Sequence, residues 1–155
     1  QGAIQGTSLF LRAVTRRHYR RLRRTRKLKL LLDTRTFLWL ISDDPQLSAE
    51  ARQIFSDPAS EVYLSSVSAW EIIVKNMRQK LPLPKSPQQF IPEQRKRHGI
   101  DVLPLDEDSV LQLHLLPAHH KDPFDRMLTC QAIAHGMTIL TPDPLITQYP
   151  VRTIW

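Results

Sequence analysis

Four acidic residues share a local setting. Asp33 closes the apolar run LKLLLD, and Glu71 opens the helical stretch SAWEII just after EVYLSS. Asp125 lies in the first turn of DPFDRML, and Asp143 ends the strand-like TILTPD. Singly, each has a structural explanation. Asp33 can cap the helix that follows it. Ser68 and Glu71 form S-x-x-E, the pattern of a capping box. Asp122 suits an N-cap, with Pro123 at the first helical position and Asp125 three residues on. Asp143, before Pro144, can cap a last short helix. Together the four point to chemistry. Carboxylates in one cleft raise one another's pKa, and they stay ionised most readily around a divalent cation. Hard oxygen ligands select Mg²⁺ or Mn²⁺. Zinc is disfavoured, because no Cys-His set has suitable spacing. His119 and His120 are adjacent and cannot easily both face one site, so they are expected in a loop, with one able to touch substrate. A cation held by such acids lowers the pKa of a water and stabilises charge on a phosphate. A carboxylate can accept the proton of the attacking water, and no Ser, Cys or His nucleophile is needed.

Such a cluster needs elements that bring distant acids together. LKLLLD reads as a buried parallel strand, and TRTFLWLISD has apolar residues at helical spacing. LSAEARQIFSD reads as a helix opened by Ser48, with Leu47, Ala51, Ile54 and Phe55 on one face. EVYLSS is a strand, SAWEIIVKNMRQK a helix, LPLPKSP a loop, and PQQFIPEQRKRHG a helix interrupted by Pro92. IDVLPL is strand-like. DEDSVLQLHLLP is a short helix with acids in its first turn, where they suit the dipole. DPFDRMLTCQAIAHG is a helix closed by Gly136, MTILTPD a strand, and VRTIW a last strand. Strands alternating with helices predict a parallel sheet covered on both faces. In such a sheet ligands bind beyond the carboxyl ends of the strands, and right-handed winding brings those ends to one edge.

The 155 residues suit one domain. The net charge of +7 is unevenly placed: residues 1–30 hold ten Lys or Arg and no acid, and residues 31–155 hold twelve Lys or Arg and fifteen Asp or Glu, a split of +10 and −3. A nucleic-acid argument from overall charge therefore concerns the first thirty residues. Residues 1–27 are expected to be a basic leader outside the domain, disordered or non-native. An arm that binds RNA or DNA phosphates and a transit peptide are the alternatives. One cysteine, Cys130, cannot form an internal disulfide, which favours a reducing compartment, the cytoplasm. Its place in a helix suits a small core residue better than a nucleophile. No apolar run approaches the ~20 residues that span a bilayer.

The stretches KLLLDTRTFLWL, YLSSVSAWEIIVK and HHKDPFDRMLTCQAIAHGMTILTPD resemble the PIN domain, and in particular the VapC-like ribonuclease toxins of bacterial toxin–antitoxin modules. The resemblance covers residues 28–155, and the order of the motifs is more specific than any one of them. It implies a PIN-like three-layer α/β/α sandwich with a central, mainly parallel sheet. It also implies a metal-dependent endoribonuclease whose acids, here Asp33, Glu71, Asp125 and Asp143, bind Mg²⁺ or Mn²⁺ and cleave RNA to 5′-phosphate and 3′-hydroxyl ends. Asp122 is an additional metal candidate. Thr34, Ser68 and Thr141 stand beside the acids as supporting residues, and Arg126 is expected to steady the cluster. One departure is Arg35, where relatives of this form often carry His.

The expected partners are an RNA substrate, a cognate antitoxin protein and a second copy in a homodimer, with no membrane. Arg35, Arg95, Lys96, Arg97 and Lys121 are candidate RNA contacts, with EQRKRHG the densest basic cluster, and Lys75, Arg78 and Lys80 also stand among the possible phosphate contacts. Trp39 and Trp70 could line an antitoxin groove, although burial is the commoner fate of tryptophan. The rival class is a binding protein: a non-catalytic PIN-like RNA scaffold, or the DNA-binding subunit of a toxin–antitoxin complex. A phosphatase with an aspartate nucleophile ranks low, because Arg35 stands where that chemistry places its second aspartate.

Overall fold

The computed structural model describes residues 27–155, and the expected leader lies outside the described residues except for Lys27, which pairs with Glu61 at 3.5 Å. Five parallel strands form one sheet. They are β1 (Leu28–Leu32), β2 (Ser60–Ser65), β3 (Asp101–Leu103), β4 (Thr138–Leu140) and β5 (Arg152–Ile154), in spatial order β3-β2-β1-β4-β5. All five expected strands are present. Between them run α1 (Thr34–Ser42), α2 (Ala49–Phe55), α3 (Ser66–Met77), α4 (Pro87–Arg97), α5 (Glu107–Gln112) and α6 (Pro123–His135).

The alternation of side chains along a strand divides the core in two. Leu30 and Leu32 of β1 face one layer, with Phe37 and Leu40 of α1, Ala51 and Ile54 of α2, Ile72 of α3, and Phe90 and Ile91 of α4. Leu31, between them, faces the other layer, with Val67 of α3, Leu128 and Ala132 of α6, and Ile139 of β4. The three leucines are fully buried, as expected of a strand covered on both faces. The result is the α/β/α sandwich. Cys130 is a buried core residue beside Leu116 and Tyr149, and burial pushes its thiol up. Among the described residues no helix is long and apolar enough to cross a membrane.

Chain order places β2 and β3 on one side of β1, and β4 and β5 on the other. The connections leaving β1 and β4 therefore diverge, and a crevice opens beyond their carboxyl ends. Two local expectations change. The chain passes from β2 into α3 without a loop: Ser65 is the N-cap, its Oγ accepting from the Val67 amide at 3.0 Å. Ser68 is therefore inside the helix and makes no capping box. Glu71 stands in the second turn. In addition, β4 ends at Leu140, so Asp143 lies three residues past the strand.

Candidate metal and active site

Asp33 follows β1 directly and is the N-cap of α1. Its Oδ1 accepts from the Thr36 amide at 2.6 Å, and its Oδ2 accepts from the Thr141 hydroxyl. It is only 5% exposed. Burial holds its carboxyl above the usual range, opposed by the Thr141 and Thr36 hydrogen bonds and by the charge of Arg35. The Thr141 Oγ also accepts from the Asp143 amide at 3.1 Å. One hydroxyl thus ties the end of β1 to the loop after β4. Asp143 turns that loop by accepting from the Leu145 amide at 2.8 Å. Burial would raise the Asp143 carboxyl, but hydrogen bonds from His120 and Leu145 and the charge of Arg35 bring it below its ordinary value.

Glu71 reaches the crevice from α3. Thr34 donates its hydroxyl to Oε2, and Lys75, one turn on, binds Oε1. Lys75, expected as a phosphate contact, is thus engaged with an acid. Asp122 caps α6 by accepting from the Phe124 amide at 2.8 Å and the Asp125 amide at 3.3 Å, with Pro123 first in the helix. The cap presents Asp125 to the crevice. Burial, then the negative charges of Asp122 and Glu71, raise the Asp125 carboxyl from 3.8 to about 7. His120 opposes this and Asp33 adds to it. Asp125 thus feels the charges of Asp33, Glu71 and Asp122, acids drawn from both sides of the sheet's centre.

His120 is the site residue that sequence reasoning did not single out. Its Nε2 lies 2.9 Å from Asp143 Oδ2 and 3.2 Å from Asp125 Oδ2. The signal available was the histidine pair just before DPFD. Only one of the pair faces inward, as adjacency demands, and the His119 ring packs 5.1 Å from that of Tyr149. Arg126 was expected beside the carboxylates. Its guanidinium instead donates to the carbonyls of Pro117 at 2.9 Å and His120 at 3.4 Å, and to the Tyr149 hydroxyl at 3.4 Å. It steadies the loop that carries His120. Ser68 Oγ is buried and finds no hydrogen-bond partner among the described residues.

The expected RNA contacts divide by position. Arg35 is exposed in the first turn of α1, over the Trp39 ring at 5.7 Å, and its charge reaches both Asp33 and Asp143. Lys121 is exposed between His120 and Asp122. Arg95, Lys96 and Arg97 instead occupy the last turn of α4, where cations suit the dipole. Arg95 donates to the Ile100 carbonyl at 3.2 Å. That turn leads into the start of β3, so it stands at the sheet edge opposite the acids. Trp39 packs against Trp155 at 5.7 Å. Trp70 is 58% exposed, against the expectation of burial, with its ring edge-on to Phe124 at 4.9 Å.

The donor set fits a hard divalent cation. One side-chain N or O atom each from His120, Asp125 and Asp143 lies within 4.8 Å of the other two, and the charges of Asp33 and Glu71 act on Asp125. Mutually repelling carboxylates are what a cation relieves, and oxygen donors select Mg²⁺ or Mn²⁺ over softer metals.

The PIN domain family matches residues 30–151. A curated relative, Ribonuclease VapC16 of Mycobacterium tuberculosis (strain ATCC 25618 / H37Rv), is 35% identical over 115 residues, which cover 71% of this chain and 77% of that protein. Among solved structures, VapBC2 from Rickettsia felis bound to a promoter DNA fragment aligns with a TM-score of 0.61 at 12% identity, covering 82% of this chain and 98% of that one. FitAcB from Neisseria gonorrhoeae aligns with a TM-score of 0.57 at 19% identity, covering 81% and 96%. The solved structures share the fold, and the sequence match carries the kinship: this chain belongs to the PIN domain family.

Proposed function

We propose that the chain is a Mg²⁺- or Mn²⁺-dependent endoribonuclease and the toxin of a toxin–antitoxin pair, with residues 28–155 as the nuclease unit and residues 1–27 as a leader outside it. The observation that carries this reading is the meeting of Asp33, Glu71, Asp125 and Asp143 in the crevice beyond β1 and β4, with Asp125 raised to about 7 by its neighbours and its burial. The name of the M. tuberculosis relative supports RNA as substrate.

Asp33, Glu71, Asp125 and Asp143 would hold the cation, with Asp122 behind Asp125 as the cap that aims it. A bound divalent cation supplies positive charge that activates water and offsets charge at the phosphate. The chain's own residues do the rest. Thr141 orients Asp33, while Thr34 and Lys75 orient Glu71. A carboxylate oxygen turned toward the water accepts its proton. Arg35 and Lys121, exposed beside the acids, receive RNA phosphates; Arg95, Lys96 and Arg97 would serve only an RNA long enough to pass the far edge of the sheet.

The solved VapBC and FitAcB relatives support a protein partner, an antitoxin. Trp70, Ile73 and Met77 are exposed on α3 at i, i+3 and i+7, an apolar stripe that supports a homodimer. The reducing compartment argued from the lone cysteine is the cytoplasm.

Labelled RNAs incubated with the purified chain in Mn²⁺, Mg²⁺ or EDTA, beside Asp33→Asn, test the reading. Cutting is expected with either metal, with none in EDTA and none by the variant. Full cutting by a folded Asp33→Asn refutes it. Absence of both cutting and Mn²⁺ binding favours the non-catalytic scaffold.

A further inference from the structure

His120 sits among the acids, and its hydrogen bonds determine which role it can play. The Asp122 amide donates to His120 Nδ1 at 3.0 Å. A ring nitrogen that accepts a hydrogen carries none of its own, so the proton of the neutral imidazole is on Nε2. That nitrogen lies 2.9 Å from Asp143 Oδ2 and 3.2 Å from Asp125 Oδ2. It therefore donates to the carboxylates and has no lone pair to offer a cation.

The surroundings fix this arrangement. The Asp122 amide is held in place because its own side chain caps α6. The His120 amide donates to the Tyr149 hydroxyl at 2.7 Å, and its carbonyl accepts from Arg126. The side chain is only 10% exposed. Coordination through Nε2 would need the proton moved to Nδ1, where it would meet the Asp122 N–H.

We propose that His120 is a positioning residue: through Nε2–H it holds Asp143 beside Asp125, so that the two carboxylates meet a divalent cation as a preformed pair, and it is not itself a ligand. Outer partners of this kind orient ligating carboxylates and typically affect metal affinity by about ten- to a hundredfold. The inference rests on the metal-nuclease reading.

Two measurements on the full chain test it. Long-range ¹H–¹⁵N spectra of histidine-labelled protein, in EDTA and then in Mg²⁺, report which ring nitrogen is protonated. The Nε2–H tautomer is expected in both. Calorimetric titration with Mn²⁺ is expected to show at least about a tenfold loss of affinity in His120→Ala. His120→Gln, which can place an amide N–H near the Nε2 position, should recover most of it. A change to the Nδ1–H tautomer on adding Mg²⁺ would mean that the ring is a ligand and would overturn the inference. So would unchanged affinity in His120→Ala, or a His120→Gln as weak as His120→Ala. Absence of Mn²⁺ binding by the unaltered chain would overturn the metal reading and this inference together, so the two failures are distinguishable. The spectra use the unaltered protein and do not depend on whether a variant folds.

Discussion

Replacing Asp125 with Asn should stabilise the metal-free protein while removing one of the proposed metal ligands. In the native chain this carboxyl ionises near 7, against 3.8 for the ordinary group, because of burial and then the charges of Asp122 and Glu71. Between those two pH values the native state holds a proton that the unfolded chain has released. Stability from this group is therefore full below 3.8, falls as pH rises, and levels off above 7. A displacement of that size corresponds to about 4 kcal/mol at pH 8. The side chain is 22% exposed, and relaxation of a partly wet site reduces the figure to about 2 kcal/mol. The substituted amide cannot ionise and avoids the loss. For a domain of this size about 1 kcal/mol moves Tm by about 4 °C, so Asp125→Asn should melt about 8 °C higher at about pH 8 in EDTA, with the gap closing toward about pH 4. Mg²⁺ should raise the Tm of the unaltered protein and leave the variant nearly unmoved. Calorimetric melts of both proteins across pH, with and without Mg²⁺, provide the comparison. A variant less stable than the unaltered chain in alkaline EDTA, or a gap independent of pH, would refute the account of a site strained by its own charge.

Two further outcomes follow from the same geometry. Because a cation must displace the Asp125 proton, apparent Mn²⁺ affinity should rise by about tenfold per pH unit below 7 and flatten above it; calorimetry in buffers of different ionisation enthalpy would also detect the released proton, and a flat profile from about pH 5 to 8 would count against the coupling. Thr141→Val removes the hydroxyl that joins Asp33 to the Asp143 amide, and should cost about 1–3 kcal/mol in urea unfolding and weaken Mn²⁺ binding, with Thr141→Ser restoring both. Equal Mn²⁺ affinity in the Val variant would remove Thr141 from the site.

The parts of the site legible in the sequence were those set by short-range physics. A triple leucine followed by an acid specifies a buried strand and its exit, and Asp122-Pro123 specifies a helix start whatever surrounds it. The parts that were not legible depend on distant partners. In SSVS three serines can each cap a helix, and Ser65 does so while its hydroxyl also meets Gln131, sixty-six residues away. Which of His119 and His120 turns inward depends on Tyr149 and Asp143, neither predictable from the pair itself. Arg126 looked like a partner for acids because it follows one, yet on a helix the next residue points about 100° away, here toward the loop carbonyls. The EQRKRHG cluster stood out by density alone, and chain direction puts it at the end of the sheet away from the acids.

The pairing of β1 with β4 has a bearing on how such a chain is made. Asp33 and Thr141 bond across 108 residues, and the fourth acid, Asp143, follows the first by a similar span of chain. A chain released or broken anywhere before Asp143 carries at most three of the four acids and lacks the loop that holds them. Contacts of such sequence separation also form late, because the intervening loop must close first. An RNA-cleaving enzyme laid out in this order would be harmless while the residues before Asp143 are being translated, and would acquire its activity only once β4 and the loop that carries Asp143 have emerged and docked.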